Sequence, residues 1–205
     1  SESDKKWIAI YGMYDTGKTQ LSILIHQVLA LETVWISFRE CDEKTIIKKL
    51  FASFEASKIE ELEINLNTIC AKKRILIVLD DLPKFGIIER VDDVFNTFIS
   101  RCLHNDVTIL STSNHLLANS IKTLYNDNIY EKRIPLLNET ECEEVIQTYP
   151  DSINFEHKNL LYTITEGYPI YLQVVCRYLQ NSNWVIKEEE FLNFFSGELR
   201  FPNLY

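Results

Sequence analysis

A chain of 205 residues can bury one sizeable core, or one large and one small, without disulfides or metals to hold it. Its 21 Lys and Arg against 30 Asp and Glu leave a net charge of −9, a bulk field that repels nucleic acid and anionic membrane and argues against both as partners. The five cysteines, Cys41, Cys70, Cys102, Cys142 and Cys176, are odd in number and never form C-x-x-C, which points away from a disulfide framework or zinc site and toward core thiols in a reducing compartment.

No apolar run reaches the roughly 18–20 residues that a membrane span needs, and no signal-peptide pattern precedes the first apolar stretch. The expectation is a soluble cytoplasmic protein. The first predicted element, Trp7–Tyr11, is a short apolar run of strand type. It is followed by Gly12-Met13-Tyr14-Asp15-Thr16-Gly17-Lys18-Thr19, which fits G-x-x-x-x-G-K-[ST] at every fixed position, a coincidence on the order of one in a hundred for a chain this long. An apolar helical run from Gln20 to Leu31 completes the strand–loop–helix order that the pattern requires.

Two glycines at that spacing let the backbone curl so that successive N–H groups point inward at a helix N-terminus and form an anion-sized cradle. Lys18 then reaches the β- and γ-phosphates of a nucleotide, and the Thr19 hydroxyl is an oxygen ligand for Mg²⁺. The candidate nucleotide-binding residues are Gly12, Tyr14, Asp15, Thr16, Gly17, Lys18, Thr19 and Gln20, with ATP or ADP and Mg²⁺ as the expected ligands. Glycine is scarce in this chain, five residues in all, and two of them fall where the loop demands them.

Thr33–Phe38, β-branched and aromatic, reads as a second strand. Asp42 caps a helix whose Ile46, Ile47, Leu50 and Phe51 share a face, and a further helix runs from about Lys58 to Lys73. The third strand, Arg74–Asp81, holds five consecutive apolar residues, the mark of a strand covered on both faces in a parallel sheet, and ends in Asp80-Asp81 before Pro83. In phosphate-loop enzymes an acid at this place orients Mg²⁺ and a neighbouring acid can polarise the attacking water; Asp80 is assigned to the metal with Thr19, and Asp81 to the water, as the candidate catalytic pair.

Ile87–Leu103 reads as a helix, and Val107–Asn114 as a fourth strand ending in small polar residues, where α/β sheets bind ligands. Ser111, Thr112 and Asn114 are the candidate γ-phosphate sensors, against the plainer reading that they only begin a loop. A last strand spans Ile129–Ile134. Beyond about residue 136 the pattern is helical only: Asn138 and Glu141 make a capping-box-like start, and helices are expected at Glu139–Thr148, Phe155–Glu166 and Pro169–Asn181. Gly167-Tyr168-Pro169 by itself reads as a helix–helix corner.

With these pieces placed, the chain resembles the nucleotide-binding module of the NB-ARC group of STAND ATPases, which includes apoptosome adaptors and plant disease-resistance proteins. Val34-Trp35-Ile36-Ser37 is similar to that family's second strand, Ile77–Leu82 to its strand ending in two aspartates, Leu136–Glu141 to the start of its helical subdomain, and Gly167-Tyr168-Pro169-Ile170 to its G-x-P motif. The resemblance implies an α/β fold, a P-loop NTPase parallel sheet with helices on both faces over residues 1–136, followed by a small all-helical subdomain over residues 137–205. It also implies adenine over guanine, and makes Pro169 a nucleotide contact.

The family's Thr-Thr-Arg at the fourth strand is replaced here by Ser111-Thr112-Ser113, without the arginine that senses the γ-phosphate. Losing about 3 kcal/mol of transition-state stabilisation slows hydrolysis by roughly two orders of magnitude, so at most a slow Mg-dependent ATPase is expected. The family's upstream adenine-closing segment and its downstream winged-helix and sensor domains find no room in these residues, which suggests an excised module or a reduced member. Three readings follow. The leading one is a nucleotide-dependent switch with protein partners and nucleotide-dependent self-assembly, without nucleic acid or membrane. The others are an active AAA-like ATPase and a degenerate scaffold for protein interactions.

Overall fold

The computed structural model describes residues 5–71, 73–84, 89–105, 107–150, 152 and 158–186. The chain divides into two compact units, residues 1–134 and 135–205. In the first, five strands form one parallel sheet: β1 (Trp7–Tyr11), β2 (Glu32–Ser37), β3 (Ile75–Leu82), β4 (Thr108–Ser113) and β5 (Ile129–Arg133), in the order β2-β3-β4-β1-β5. The helices are α1 (Lys18–Leu29), α2 (Glu43–Ala52), α3 (Ile59–Cys70), α4 (Glu89–His104) and α5 (Asn119–Tyr125).

Strand order dictates which face each helix covers. The chain leaves β1 for the far edge at β2, then walks back through β3 and β4 and over β1 to β5. Because parallel crossovers are right-handed, the outward step places its helix on one face and the returning steps place theirs on the other. Accordingly Leu21 and Ile25 of α1 pack against Ile10, Leu76, Val78 and Leu110. On the opposite face Leu50 of α2, Leu66 of α3, Phe98 of α4 and Ile121 of α5 pack against Trp7, Ile77, Leu79 and Ile109. Residues 75–79 of β3 are all buried, because a central parallel strand has a hydrophobic layer on each side.

Three local details differ from the sequence reading. The third strand does not end at Asp81: β3 continues to Leu82, and the pairing with β4 shifts between Leu79 and Leu82, a bulge at which Asp81 has φ 58°. Helix α5 was not foreseen, because it is only seven residues long and its N-cap, Ala118, offers no side-chain acceptor. Helix α1 begins at Lys18, so Lys18 and Thr19 belong to its first turn. The expected helix residue Ile87, and residues 155–157 at the start of another expected helix, lie outside the described residues.

The second unit contains α6 (Glu139–Gln147), α7 (Lys158–Thr165) and α8 (Pro169–Asn181) around Cys142, Ile146, Leu161, Leu172, Val175, Cys176 and Leu179. Its first helix is held by a complete capping box: the Glu141 amide donates to Asn138 Oδ1 at 3.0 Å, and the Asn138 amide donates to Glu141 Oε2 at 2.8 Å. Trp184 closes the apolar cluster and donates its indole N–H to the Pro150 carbonyl at 2.8 Å. All five cysteines are free thiols, and burial pushes the Cys176 thiol up to about 12. Among the described residues no helix is long and apolar enough to cross a membrane.

Candidate phosphate-binding site

The loop after β1 is built from conformations that only certain residues adopt. Asp15 and Gly17 are both left-handed, with φ 58° and 85°, flanking Thr16 in a turn that concentrates backbone N–H groups as anion nests do. At Gly17 a Cβ would meet nothing within 4 Å, so the position needs glycine for its dihedral alone. Asp15 is the one non-glycine left-handed residue in the loop, tolerated because aspartate's short polar side chain suits that region. Gly12 is required for a different reason: a Cβ there would lie 2.6 Å from the Ile134 carbonyl oxygen.

Internal hydrogen bonds hold the loop's shape. The Gly12 amide donates to the Ser113 carbonyl at 3.2 Å, and Thr16 Oγ1 donates to the Met13 carbonyl at 3.0 Å. The Lys18 ammonium is buried and donates to the carbonyls of Gly12, at 3.1 Å, and Met13. Burial lowers its pKa below the usual lysine value, against the opposing pull of Asp81, Asp15 and Asp80. A phosphate would supply the counter-charge that these carbonyls provide only as dipoles.

Asp80, at the α1 face of β3, is the hub of the site. Its Oδ1 accepts from Thr19 Oγ1 at 2.9 Å and from Thr112 Oγ1 at 2.7 Å, tying α1, β3 and β4 together at one oxygen. Thr112 Oγ1 also accepts the Asp81 amide at 2.8 Å, which satisfies the N–H that the bulge removes from the ladder. Asn114 Nδ2 donates to Asp81 Oδ1 at 3.2 Å, so the second carboxylate is held as well. Thr19 and Asp80 present hard oxygens of the kind Mg²⁺ takes, and few of them, as a Mg²⁺ that keeps its waters and phosphate ligands requires. Among the described residues no group of three or more His, Cys, Asp or Glu converges as a protein metal cage.

The structure therefore brings the loop, Lys18, Thr19, Asp80, Asp81, Thr112 and Asn114 to the carboxyl end of β1, β3 and β4, where open α/β sheets bind ligands. Gln20 is exposed on the first turn of α1, and the Tyr14 ring stands open to solvent, 71% exposed. Ser111 does not join the group. Strand side chains alternate, so Ser111 shares the opposite face with Trp7 and Ala9, and its Oγ accepts the Trp7 indole N–H at 2.8 Å in the core. Its assignment as a γ-phosphate sensor is corrected to a core hydroxyl. Pro169 lies in the second unit, at the first position of α8 behind Gly167, which has φ 75°.

Sequence reasoning missed the double role of Thr112 as brace of both acids. The register of the folded sheet is what fixes which parity of β4 faces α1, and the sequence does not carry that register.

With this geometry in place, solved structures show the architecture to be a known one. The chain matches DnaA from Aquifex aeolicus bound to AMPPCP with a TM-score of 0.63 at 15% identity, covering 94% of this chain and 59% of that one. The fold is that of the P-loop NTPases. It also matches the STAND protein PH0952 from Pyrococcus horikoshii, which carries a tetratricopeptide repeat sensor, with a TM-score of 0.57 at 17% identity, over 93% of this chain and 32% of that one. A third match is a replication initiator DnaA bound to AMPPCP and single-stranded DNA, with a TM-score of 0.61 at 14% identity, over 85% of this chain and 55% of that one. The chain thus spans between about a third and three fifths of the length of these neighbours. No protein-family model matches the chain, and no curated protein matches it by sequence.

Proposed function

We propose that this chain is the adenine-nucleotide-binding module of a STAND-type switch, related to the NB-ARC group. The observation that carries the reading is the Thr19–Asp80–Thr112 hydrogen-bonded set, which places a hydroxyl and a carboxylate beside the phosphate loop with Lys18 buried next to them. The loop amides, Lys18 and the positive end of α1 bind the phosphates of ADP or ATP. Mg²⁺, held through Thr19 and Asp80, supplies charge neutralisation there. Asp81, steadied by Asn114, is the acid that orients a water, and Pro169 of the helical unit contacts the nucleotide.

Fold neighbours that include AMPPCP-bound DnaA and a STAND protein support nucleotide binding as the shared theme. The net charge of −9 favours protein partners and self-assembly over nucleic acid, in the cytoplasm. Turnover is slow, since β4 ends in Ser111-Thr112-Ser113, followed by Asn114, with no cation among them to stabilise transition-state charge. The ligand's work is to bias the orientation of the helical unit by its differential contacts.

The decisive experiment is chromatography of nucleotide released on denaturing the purified protein, together with melting temperature with and without millimolar Mg-ATP. Co-purified ADP, or a rise in melting temperature that Lys18→Ala abolishes, supports the switch. An empty protein whose melting is indifferent to Mg-ATP sinks it and leaves the scaffold reading.

A further inference from the structure

The strand that carries the two acids has a neighbour whose own end carries a cation. β2 and β3 pair in register from Glu32 with Ile75 to Ser37 with Asp80, and the ladder runs one step further, the Phe38 amide donating to the Asp80 carbonyl at 2.8 Å. Side chains alternate along β2: Ile36 and Phe38 are buried on the face opposite α1, whereas Trp35 packs with Leu76 and Val78 on the α1 face, which is the face of Asp80. The parity of Trp35 and Ser37 falls next on Arg39. There the chain reverses: the Cys41 amide donates to the Phe38 carbonyl at 3.0 Å and Glu40 has φ 55°, so Arg39 stands in a tight turn on the rim of the site. Two residues of rise and one strand spacing put its Cα roughly 8 Å from that of Asp80, a gap that an arginine side chain spans. Arg39 is exposed, and among the described residues no ion pair engages its guanidinium, although Glu40 and Asp42 are close in sequence. Two other cations follow strand ends here. Arg133 pairs with Tyr11 on the parity of Trp7 and Ala9, away from α1, and Lys84 lies past the β3 bulge and Pro83.

We propose that Arg39 is the residue that distinguishes ATP from ADP, its guanidinium pairing with the γ-phosphate oxygens of a nucleotide seated on the loop; this rests on the nucleotide-binding reading above. The loop amides enclose the inner phosphates, so the terminal one lies toward Thr19 and Asp80, the side on which Arg39 stands. ATP therefore brings an additional negative group beside two carboxylates, Asp80 and Asp81, and the end of β4 offers no cation to meet it. A guanidinium answers that charge with two parallel N–H donors, a geometry that matches a phosphate. Having no ion pair to break, Arg39 gives up only hydration to make the contact. ADP in the same loop ends short of it.

The test is calorimetric titration of the full chain with Mg-AMPPCP, which carries a γ-phosphate and is not hydrolysed, and with Mg-ADP. Arg39→Gln should weaken Mg-AMPPCP binding by about tenfold and leave Mg-ADP within about twofold of the native value. Arg39→Lys, which keeps the charge and loses the fork, should recover part of that loss. Lys84→Gln, which removes another exposed cation beyond the acids, should leave the ratio of the two affinities unchanged. Urea midpoints of the three variants should match the native chain, since both side chains are exposed. Equal weakening of both nucleotides by Arg39→Gln overturns the proposal by showing a diffuse positive field, and no change in either makes Arg39 a solvated surface residue. A loss of AMPPCP affinity in Lys84→Gln equal to that in Arg39→Gln overturns it as well. If the native chain binds neither nucleotide, the nucleotide-binding reading itself falls, and the role of Arg39 with it.

Discussion

Replacing Gly167 by alanine should be the most damaging glycine substitution among the described residues. Alanine at φ 75° costs about 1–2 kcal/mol from the left-handed conformation alone. The added Cβ would then stand 2.0 Å from a backbone oxygen, so Leu137 must retreat and its hydrogen bond to Gly167 breaks, a further loss of about 0.5–1.5 kcal/mol. We expect about 1.5–3.5 kcal/mol in total, confined to the helical unit. Gly17→Ala is the internal control: it has an equally left-handed φ of 85° but open space for a Cβ, so only the conformational cost of about 1–2 kcal/mol applies. Gly12→Ala, 2.6 Å from the Ile134 oxygen without the dihedral penalty, should fall between or near the control, at about 1–3 kcal/mol. Urea titration read by hydrogen-exchange mass spectrometry separates the units, α6–α8 peptides reporting Gly167 and β1–β5 peptides the other two. If Gly167→Ala unfolds within about 0.5 kcal/mol of the native chain, or Gly17→Ala costs more, close backbone approach is not what the position requires.

The two faces of β4 make a second test. Ser111→Ala leaves the fully buried Trp7 indole N–H unpaired and should cost about 1–3 kcal/mol in urea unfolding without changing nucleotide affinity. Thr112→Val strips the hydroxyl from Asp80 and from the Asp81 amide, and should weaken Mg-nucleotide binding by about tenfold or more in fluorescence titration. Equal effects of the two on affinity would contradict the face assignment. Lys18 gives a pH signature. Its folded-state pKa lies below 10.5, so between that lowered value and 10.5 the unfolded chain holds more protons, and stability rises with pH in that window. Subtracting the profile of Lys18→Met isolates this slope, and a difference profile that is flat or falls there refutes the burial argument. Asp81→Asn should retain nucleotide affinity while lowering single-turnover hydrolysis, and unchanged hydrolysis would remove Asp81 from the water-orienting role.

Much of this protein is legible before any coordinates. The G-x-x-x-x-G-K-[ST] spacing names the loop because a phosphate cradle tolerates glycine, lysine and hydroxyl only at set places. The apolar block at residues 75–79 announces a strand covered on both faces, and Asn138 with Glu141 announces a helix start, since each pattern is satisfied by contacts within a few residues or by period alone. What tertiary structure decided are the matters that depend on which strand lies beside which. Ser111 and Thr112 are chemically near-identical neighbours, yet strand parity sends one hydroxyl to a tryptophan in the core and the other to the acids of the site. Asp81 became part of a bulged strand because Leu82 pairs with Ser113, a partner 31 residues away that no local pattern contains. Gly12 and Gly167 read as loop and corner residues in sequence, but the necessity of each rests on a distant carbonyl, Ile134 for one and Leu137 for the other, that folding brings within a Cβ's reach. Local chemistry is written in the order of residues, whereas long-range backbone approach exists only once the chain has closed on itself.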